Sequence, residues 1–314
     1  MQEESNMVWL LIILATLIFI FSLGGFLARY AVGGPRYTPE ETFQNQCGQN
    51  PEVEELKEAE KTAYEIEGYR GYTLHAVMYP APSSDAAPEG YARKFLIMVH
   101  GYTLNRNGEL KYMPMYRRLG YNCIVYDHRG HGENRKFPCT FGLYEAKDLM
   151  KVIEDTYRRY GKDIYLGLTG ESLGAATEIT ALRYHPDVRF IVNDCGYADL
   201  IPVEKDGLKG MHLPQWFVYL ADLSCRIIYH FSFTGRRPID SLKDNKIPIC
   251  FIHGEADKFI RCEHSVRMDK ATAGYHELHL IPDAEHAKSI NTDPEGYEKI
   301  VDNFVRGVET GRIR

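Results

Sequence analysis

The 314-residue chain is 44% hydrophobic and 25% charged, ordinary globular values that exclude a disordered chain, a collagen-like repeat or a disulfide-dense mini-protein. Its net charge of −6, from 43 acidic and 37 basic residues, gives no electrostatic reason to bind nucleic acid. A mean hydropathy of −0.35 excludes a polytopic membrane protein, although an average of that kind dilutes one short apolar run.

Such a run stands near the N-terminus. Met7 to Ala28 contains 22 residues without a charge; as a helix it is roughly 33 Å long, enough to cross a hydrocarbon core of about 30 Å. A buried core helix would not be apolar on every face. A cleaved signal peptide would need a basic start, and residues 1–6 read MQEESN. The expectation is a retained single-pass membrane anchor over 1–28. Arg29 and Arg36 follow it, so the positive-inside rule places the following body on the cytoplasmic side. Gly33-Gly34-Pro35 ends the helix, and residues 29–61 read as a tether with a short acidic helix after Asn50-Pro51. Seven cysteines without a CxxC pair suggest neither a zinc ribbon nor a disulfide framework and favour a reducing compartment.

From Thr62 onward, apolar runs of strand length alternate with helical patterns. The runs cover 62–69, 72–79, 94–100, 121–127, 163–170, 188–194, 247–254 and 276–282. The first two are joined by a short Gly-containing turn and read as an antiparallel pair. The middle ones are continuously apolar, as parallel strands buried on both faces are. Leu143 to Tyr157 and Tyr297 to Val308 keep helical spacing, the second behind Thr292-Asp293-Pro294. This alternation predicts a doubly wound, mostly parallel sheet over 62–309. About fifty residues separate the strand ending near Asp194 from the one starting at Ile247, too many for one helix and its loops. That aromatic-rich interval, at about 196–240, reads as an inserted helical cap.

The motifs sit at strand ends. Gly170-Glu171-Ser172-Leu173-Gly174 lies between a strand and a helical stretch, the context in which G-x-S-x-G is a nucleophile elbow. A serine hydroxyl needs a base, and the base needs an orienting acid. His286, in DAEHA after the last strand, and Asp257, four residues past the strand end at His253, supply them in the chain order Ser172, Asp257, His286. Asp194 is the alternative acid at a neighbouring strand end. Asp127, with Arg129 and His131, reads as a structural loop. An oxyanion would be received by the N–H of Leu173, after the nucleophile, and of Tyr102, after His100-Gly101. His276 and His279 fall on opposite faces of a strand and cannot share a metal; no metal is expected.

With HGYT (100–103), YDHRGHGEN (126–134), GESLG (170–174), HGEADKF (253–259) and DAEHA (283–287), residues 62–309 resemble the α/β-hydrolase superfamily. The likeness is to its monoacylglycerol-lipase-like and serine-aminopeptidase-like branch of bacterial esterases. The resemblance implies an eight-stranded, mostly parallel sheet, a small lid after the sixth strand, and hydrolysis through an acyl-enzyme without metal or organic cofactor. Glu171 departs from the His common in such lipases, and Ala175 from the Gly-Gly ending common in oligopeptidases. The expected protein is a membrane-anchored serine hydrolase acting on a small-molecule or lipid-like acyl ester. Peptidase or acyltransferase chemistry on the same triad, or a non-catalytic tethered binding module, are the alternatives.

Overall fold

The computed structural model describes residues 2–82, 87–235 and 237–314. The chain forms two compact units, Met1–Gly34 with Leu200–Arg236, and Pro35–Asp199 with Arg237–Arg314.

The larger unit is built on one eight-stranded sheet. Its strands are β1 (Thr62–Glu67), β2 (Thr73–Tyr79), β3 (Arg93–Val99), β4 (Tyr121–Tyr126), β5 (Ile164–Glu171), β6 (Ile191–Asp194), β7 (Ile249–Gly254) and β8 (His276–Ile281). They lie in the order β1-β2-β4-β3-β5-β6-β7-β8. β1 and β2 form the antiparallel pair, β2 also runs antiparallel to β4, and every pairing from β4 to β8 is parallel. Six strands fall within the apolar runs of the sequence, and β3 and β5 extend one residue beyond theirs, at Arg93 and Glu171. β5 is buried at every residue, which is why IYLGLTGE shows no alternation.

The helices follow in chain order. α1 (Gln2–Gly33) opens the small unit; α2 (Pro39–Gln49), α3 (Met113–Arg118), α4 (Glu145–Tyr160) and α5 (Leu173–Ala181) belong to the large one. α6 (Leu200–Gly210) and α7 (Phe217–Ile228), between β6 and β7 in the chain, return to the small unit. α8 (Glu263–Ala271), α9 (Ser289–Thr292) and α10 (Pro294–Glu309) complete the large one. α10 starts where Asp293-Pro294 predicts, with the Asp293 carboxylate accepting from the Gly296 N–H. One face of the sheet buries Met98, Cys250 and Ile252 against Met113, Tyr116, Val301 and Phe304. The other buries Phe95, Ile97 and Leu168 against Leu149, Val152, Ile179 and Met268.

The expected tether is different. Helix α1 ends at Gly33, as the Gly-Gly-Pro break predicts, but residues 39–49 are α-helix rather than loose chain, ahead of the short helix expected after Asn50-Pro51. A reciprocal capping box starts α2: the Thr38 side chain accepts from the Glu41 N–H, and Glu41 from the Thr38 N–H. A 3₁₀ turn, Pro51–Lys57, then places Val53 and Leu56 in the core. Asn105 donates to the Thr42 hydroxyl at 2.7 Å and to the Tyr37 carbonyl at 3.1 Å, Asn107 donates to the Pro39 carbonyl, and Asn291 to that of Gln49. These bonds fasten the segment to the connection after β3 and to α9.

The small unit is a helical assembly. α1 buries Gly24, Leu27, Ala28 and Val32 along one face of its last three turns and packs on α7, while residues 4–22 are exposed throughout. At Gly24 the two backbones are so close that a Cβ would lie 2.6 Å from Ser224 Oγ and 2.9 Å from the Leu220 carbonyl oxygen.

Candidate active site

Ser172 occupies the junction of β5 and α5. Its backbone, at φ 56° and ψ −111°, lies where L-residues other than glycine are strained by about 1–3 kcal/mol. The turn is that sharp because α5 must start against β3. A Cβ on Gly174 would stand 1.8 Å from the Val99 carbonyl oxygen, so only glycine admits the contact. The strained turn aims the Ser172 side chain at His286.

His286 reaches Ser172 Oγ with Nε2 at 3.1 Å and Asp257 Oδ2 with Nδ1 at 2.7 Å. Its Nδ1–H donates to the carboxylate, which leaves Nε2 free to accept the serine proton. The loop carrying it is bracketed by two left-handed residues, Asp283 and Ala287, both at φ 59°, and the imidazole edge meets the Phe259 ring.

Asp257 is buried and well supplied with donors. Oδ1 accepts the N–H groups of Phe259 and Ile260, both at 2.9 Å. His253 Nε2 donates to the Ile260 carbonyl at 2.7 Å and lies 3.3 Å from Oδ2, while its Nδ1 accepts from the Ser265 hydroxyl. Burial pushes the Asp257 carboxyl up, but hydrogen bonds from His253 and His286 outweigh it and hold the group well below the usual carboxylate range. It is therefore an anion at neutral pH.

Asp194, the alternative acid, points elsewhere. Its Oδ2 accepts the hydroxyls of Tyr112 and Tyr297, each at 3.0 Å, and burial with the nearby Glu171 raises its pKa. The Asp127 loop is structural in its contacts: Asp127 accepts the N–H groups of Arg106 and Glu133, and Arg129 clamps Asp148 through two 2.6 Å bonds.

The loop expected to receive an oxyanion follows β3. Gly101 lies against Ser172, with a Cβ there reaching within 3.6 Å of Ser172 Cβ, and Tyr102 stacks on Phe141. His100 Nε2 accepts the His128 N–H at 2.9 Å, so its Nδ1–H donates to the Gly101 carbonyl at 2.7 Å. Burial holds the His100 pKa down to about 4, which keeps this tautomer neutral. Leu173, the other expected donor, is the first residue of α5.

Sequence reasoning missed Lys111. Its buried Nζ lies 2.5 Å from the Glu171 carboxylate and donates at 2.7 Å to the Ala287 carbonyl. One ammonium thus joins the neighbour of Ser172 to the neighbour of His286. Burial opposes the charge, and the carboxylates of Glu171, Asp194 and Glu109 outweigh that opposition and raise its pKa. The single proton of the Tyr112 hydroxyl is shared between Glu171 Oε2 at 2.7 Å and Asp194 Oδ2 at 3.0 Å. The departure of Glu171 from the resembled pattern was the one available signal, and nothing in the spacing identified its partner 60 residues upstream.

Among the described residues, two trios bring three metal-binding atoms together: Cys195 with Asp257 and His286, and Cys250 with Glu277 and His279. Burial pushes both thiols well above their ordinary range, and a protonated thiol is a poor ligand. His276 and His279 diverge, bonding the Gly274 carbonyl and Glu277 respectively.

Residues 94–225 match the family model of the α/β-hydrolase fold. The uncharacterized protein YqkD of Bacillus subtilis is 27% identical over 276 residues, covering 85% of this chain and 87% of its own. The uncharacterized protein YfhR of Escherichia coli K12 is 26% identical over 209 residues, 65% of this chain and 66% of its own. Among solved structures, the Pyrococcus furiosus esterase Pf2001 superposes with a TM-score of 0.65 at 22% identity, covering 88% of this chain and 97% of that one. The esterase EaEST of Exiguobacterium antarcticum gives 0.57 at 17%, over 78% and 100%. The Pyrococcus horikoshii acylaminoacyl peptidase gives 0.58 at 17%, over 82% of this chain and 42% of that one. With its sheet order, strand-to-helix elbow and matched family model, the chain has the α/β-hydrolase fold.

Proposed function

We propose that the protein is a membrane-anchored serine hydrolase that cleaves carboxylic esters. The observation that carries the reading is the continuous line from Ser172 Oγ through the His286 ring to Asp257, at 3.1 and 2.7 Å. The esterases among its structural neighbours support the ester preference.

Ser172 Oγ attacks the ester carbonyl carbon as its proton passes to His286 Nε2, and the carbonyl π-pair moves onto oxygen. The N–H groups of Tyr102 and Leu173 receive that oxyanion. Asp257 holds the imidazole tautomer and stabilises the imidazolium. The tetrahedral adduct collapses, the carbon–alkoxy bond breaks, and the leaving oxygen takes the proton from Nε2. Water then repeats the sequence on the acyl-enzyme, giving His286 its proton and releasing the carboxylic acid and Ser172.

The exposed, uncharged stretch of α1 supports a membrane anchor, and Arg29 and Arg36 after it favour a cytoplasmic body. A fluorophosphonate probe tests the mechanism: wild type labels and Ser172→Ala does not. Failure of wild type to label, or equal labelling of both, overturns it. A chain-length panel of esters with a peptide-amide control then separates ester from amide hydrolysis. For orientation, protease digestion of the body in intact cells would overturn the cytoplasmic assignment.

A further inference from the structure

The small unit carries a second apolar surface. Along α7, Val218, Ala221, Asp222, Ser224 and Cys225 are buried. The opposite face shows Trp216, Tyr219, Leu223 and Ile227, each more than half exposed. Their spacing of three or four residues makes one stripe. A water-facing helix of a globular protein would be polar there. Most other exposed large apolar side chains among the described residues belong to α1, so the stripe extends an apolar surface already present.

The packing of α1 on α7 sets the depth. The exposed uncharged part of α1, residues 7–22, is roughly 24 Å of helix at 1.5 Å per residue, most of a hydrocarbon core of about 30 Å. The packed part begins at Gly24, against Leu220 and Ser224, and a Cβ on Gly25 would touch Ile228. Helix α7 therefore joins α1 where the span leaves the hydrocarbon. Trp and Tyr favour that depth, and Lys and Arg reach anionic headgroups from it. Lys205 donates to the Tyr219 hydroxyl at 2.9 Å, and Arg29 and Arg226 are exposed.

We propose that α7 is an interfacial helix whose Trp216–Tyr219–Leu223–Ile227 stripe lies in the headgroup–acyl boundary of the bilayer that α1 crosses. This rests on the reading of α1 as an anchor. The occupant of the stripe is lipid, because the stripe is continuous with the lipid-facing surface of α1 and its exposed charges are basic.

The chain has two tryptophans, Trp9 and Trp216, so each single variant reports one helix. Full-length Trp9→Phe protein is reconstituted in vesicles of phosphatidylcholine and phosphatidylglycerol brominated on the upper acyl chain. Trp216 emission should fall about twofold or more, and a shift of bromine to the chain ends should weaken the quenching, as interfacial depth requires. Adding Leu223→Glu and Ile227→Glu should return Trp216 to quenching by aqueous iodide. If Trp216 is quenched by iodide and not by bromolipid, the stripe faces water and the proposal fails. If neither quenches it, a second copy or another protein covers the stripe, and the proposal also fails. The Trp216→Phe protein keeps the readings apart, since loss of bromolipid quenching at Trp9 would sink the anchor itself.

Discussion

Two carboxylates stand at neighbouring strand ends, Asp194 closing β6 and Asp257 just beyond β7, both buried. Their surroundings give them opposite characters. Asp257 receives two backbone N–H groups and two histidines, which hold its charge. Asp194 receives tyrosine hydroxyls beside another carboxylate, Glu171, and its pKa rises. Burial alone would have raised both. The N–H donors, rather than position at a strand end, make one of them suited to orient a histidine.

The comparison breaks first at the triad. Ser172→Ala should lower kcat by about 10⁴-fold or more, and Asp257→Asn by about 10⁴-fold with the fold retained, on a soluble ester. Near-wild-type turnover by Asp257→Asn would remove it as the triad acid. Lys111→Met leaves the buried Glu171 carboxylate without its cation and should cost about 3–5 kcal/mol in denaturant unfolding. An unchanged midpoint would mean that the Lys111–Glu171 pair contributes nothing net to stability.

Acid stability probes the opposite loop. His100, with its folded pKa lowered from 6.5 to about 4, binds its proton more readily unfolded. Its stabilising contribution is complete above pH 6.5 and is lost as pH falls toward 4, by about 3 kcal/mol at most. Asp148, pushed up to about 6, opposes this, because its protonation favours the folded state as pH falls through the same window. The melting temperature of His100→Asn should therefore fall less than that of wild type as pH drops from 6.5 to 4; an equal fall would be a contrary result. The smallest effect belongs to Asp194→Asn. The amide oxygen still accepts from Tyr112 and Tyr297, so kcat should stay within about fivefold of wild type. A loss matching that of Asp257→Asn would exchange the two roles.

The strands were legible because runs such as KFLIMVH are buried on both faces, and the start of α10 because Asp293-Pro294 is a local signal. The Ser-Asp-His line was legible for a related reason: each member follows a strand, so chain order already orders it in space. Helix α2 was not. PEETFQNQCGQ has little apolar periodicity, and its buried face is made by Thr42 and Gln46. Lys111 escaped for a stronger reason, since its partners Glu171 and Ala287 meet only after the sheet has formed. The seat of α1 on α7 lay equally beyond sequence: Gly24-Gly25 permits close approach without naming the helix that approaches.

The left-handed backbone of Ser172 carries a consequence for how this chain came to be. Glycine would hold the same turn without strain, and would satisfy a chain selected only to stay folded. Alanine would keep the strain and remove the hydroxyl. Serine at 172 thus retains a conformational cost for the sake of one oxygen atom, which argues that reactivity, rather than stability, determined the residue.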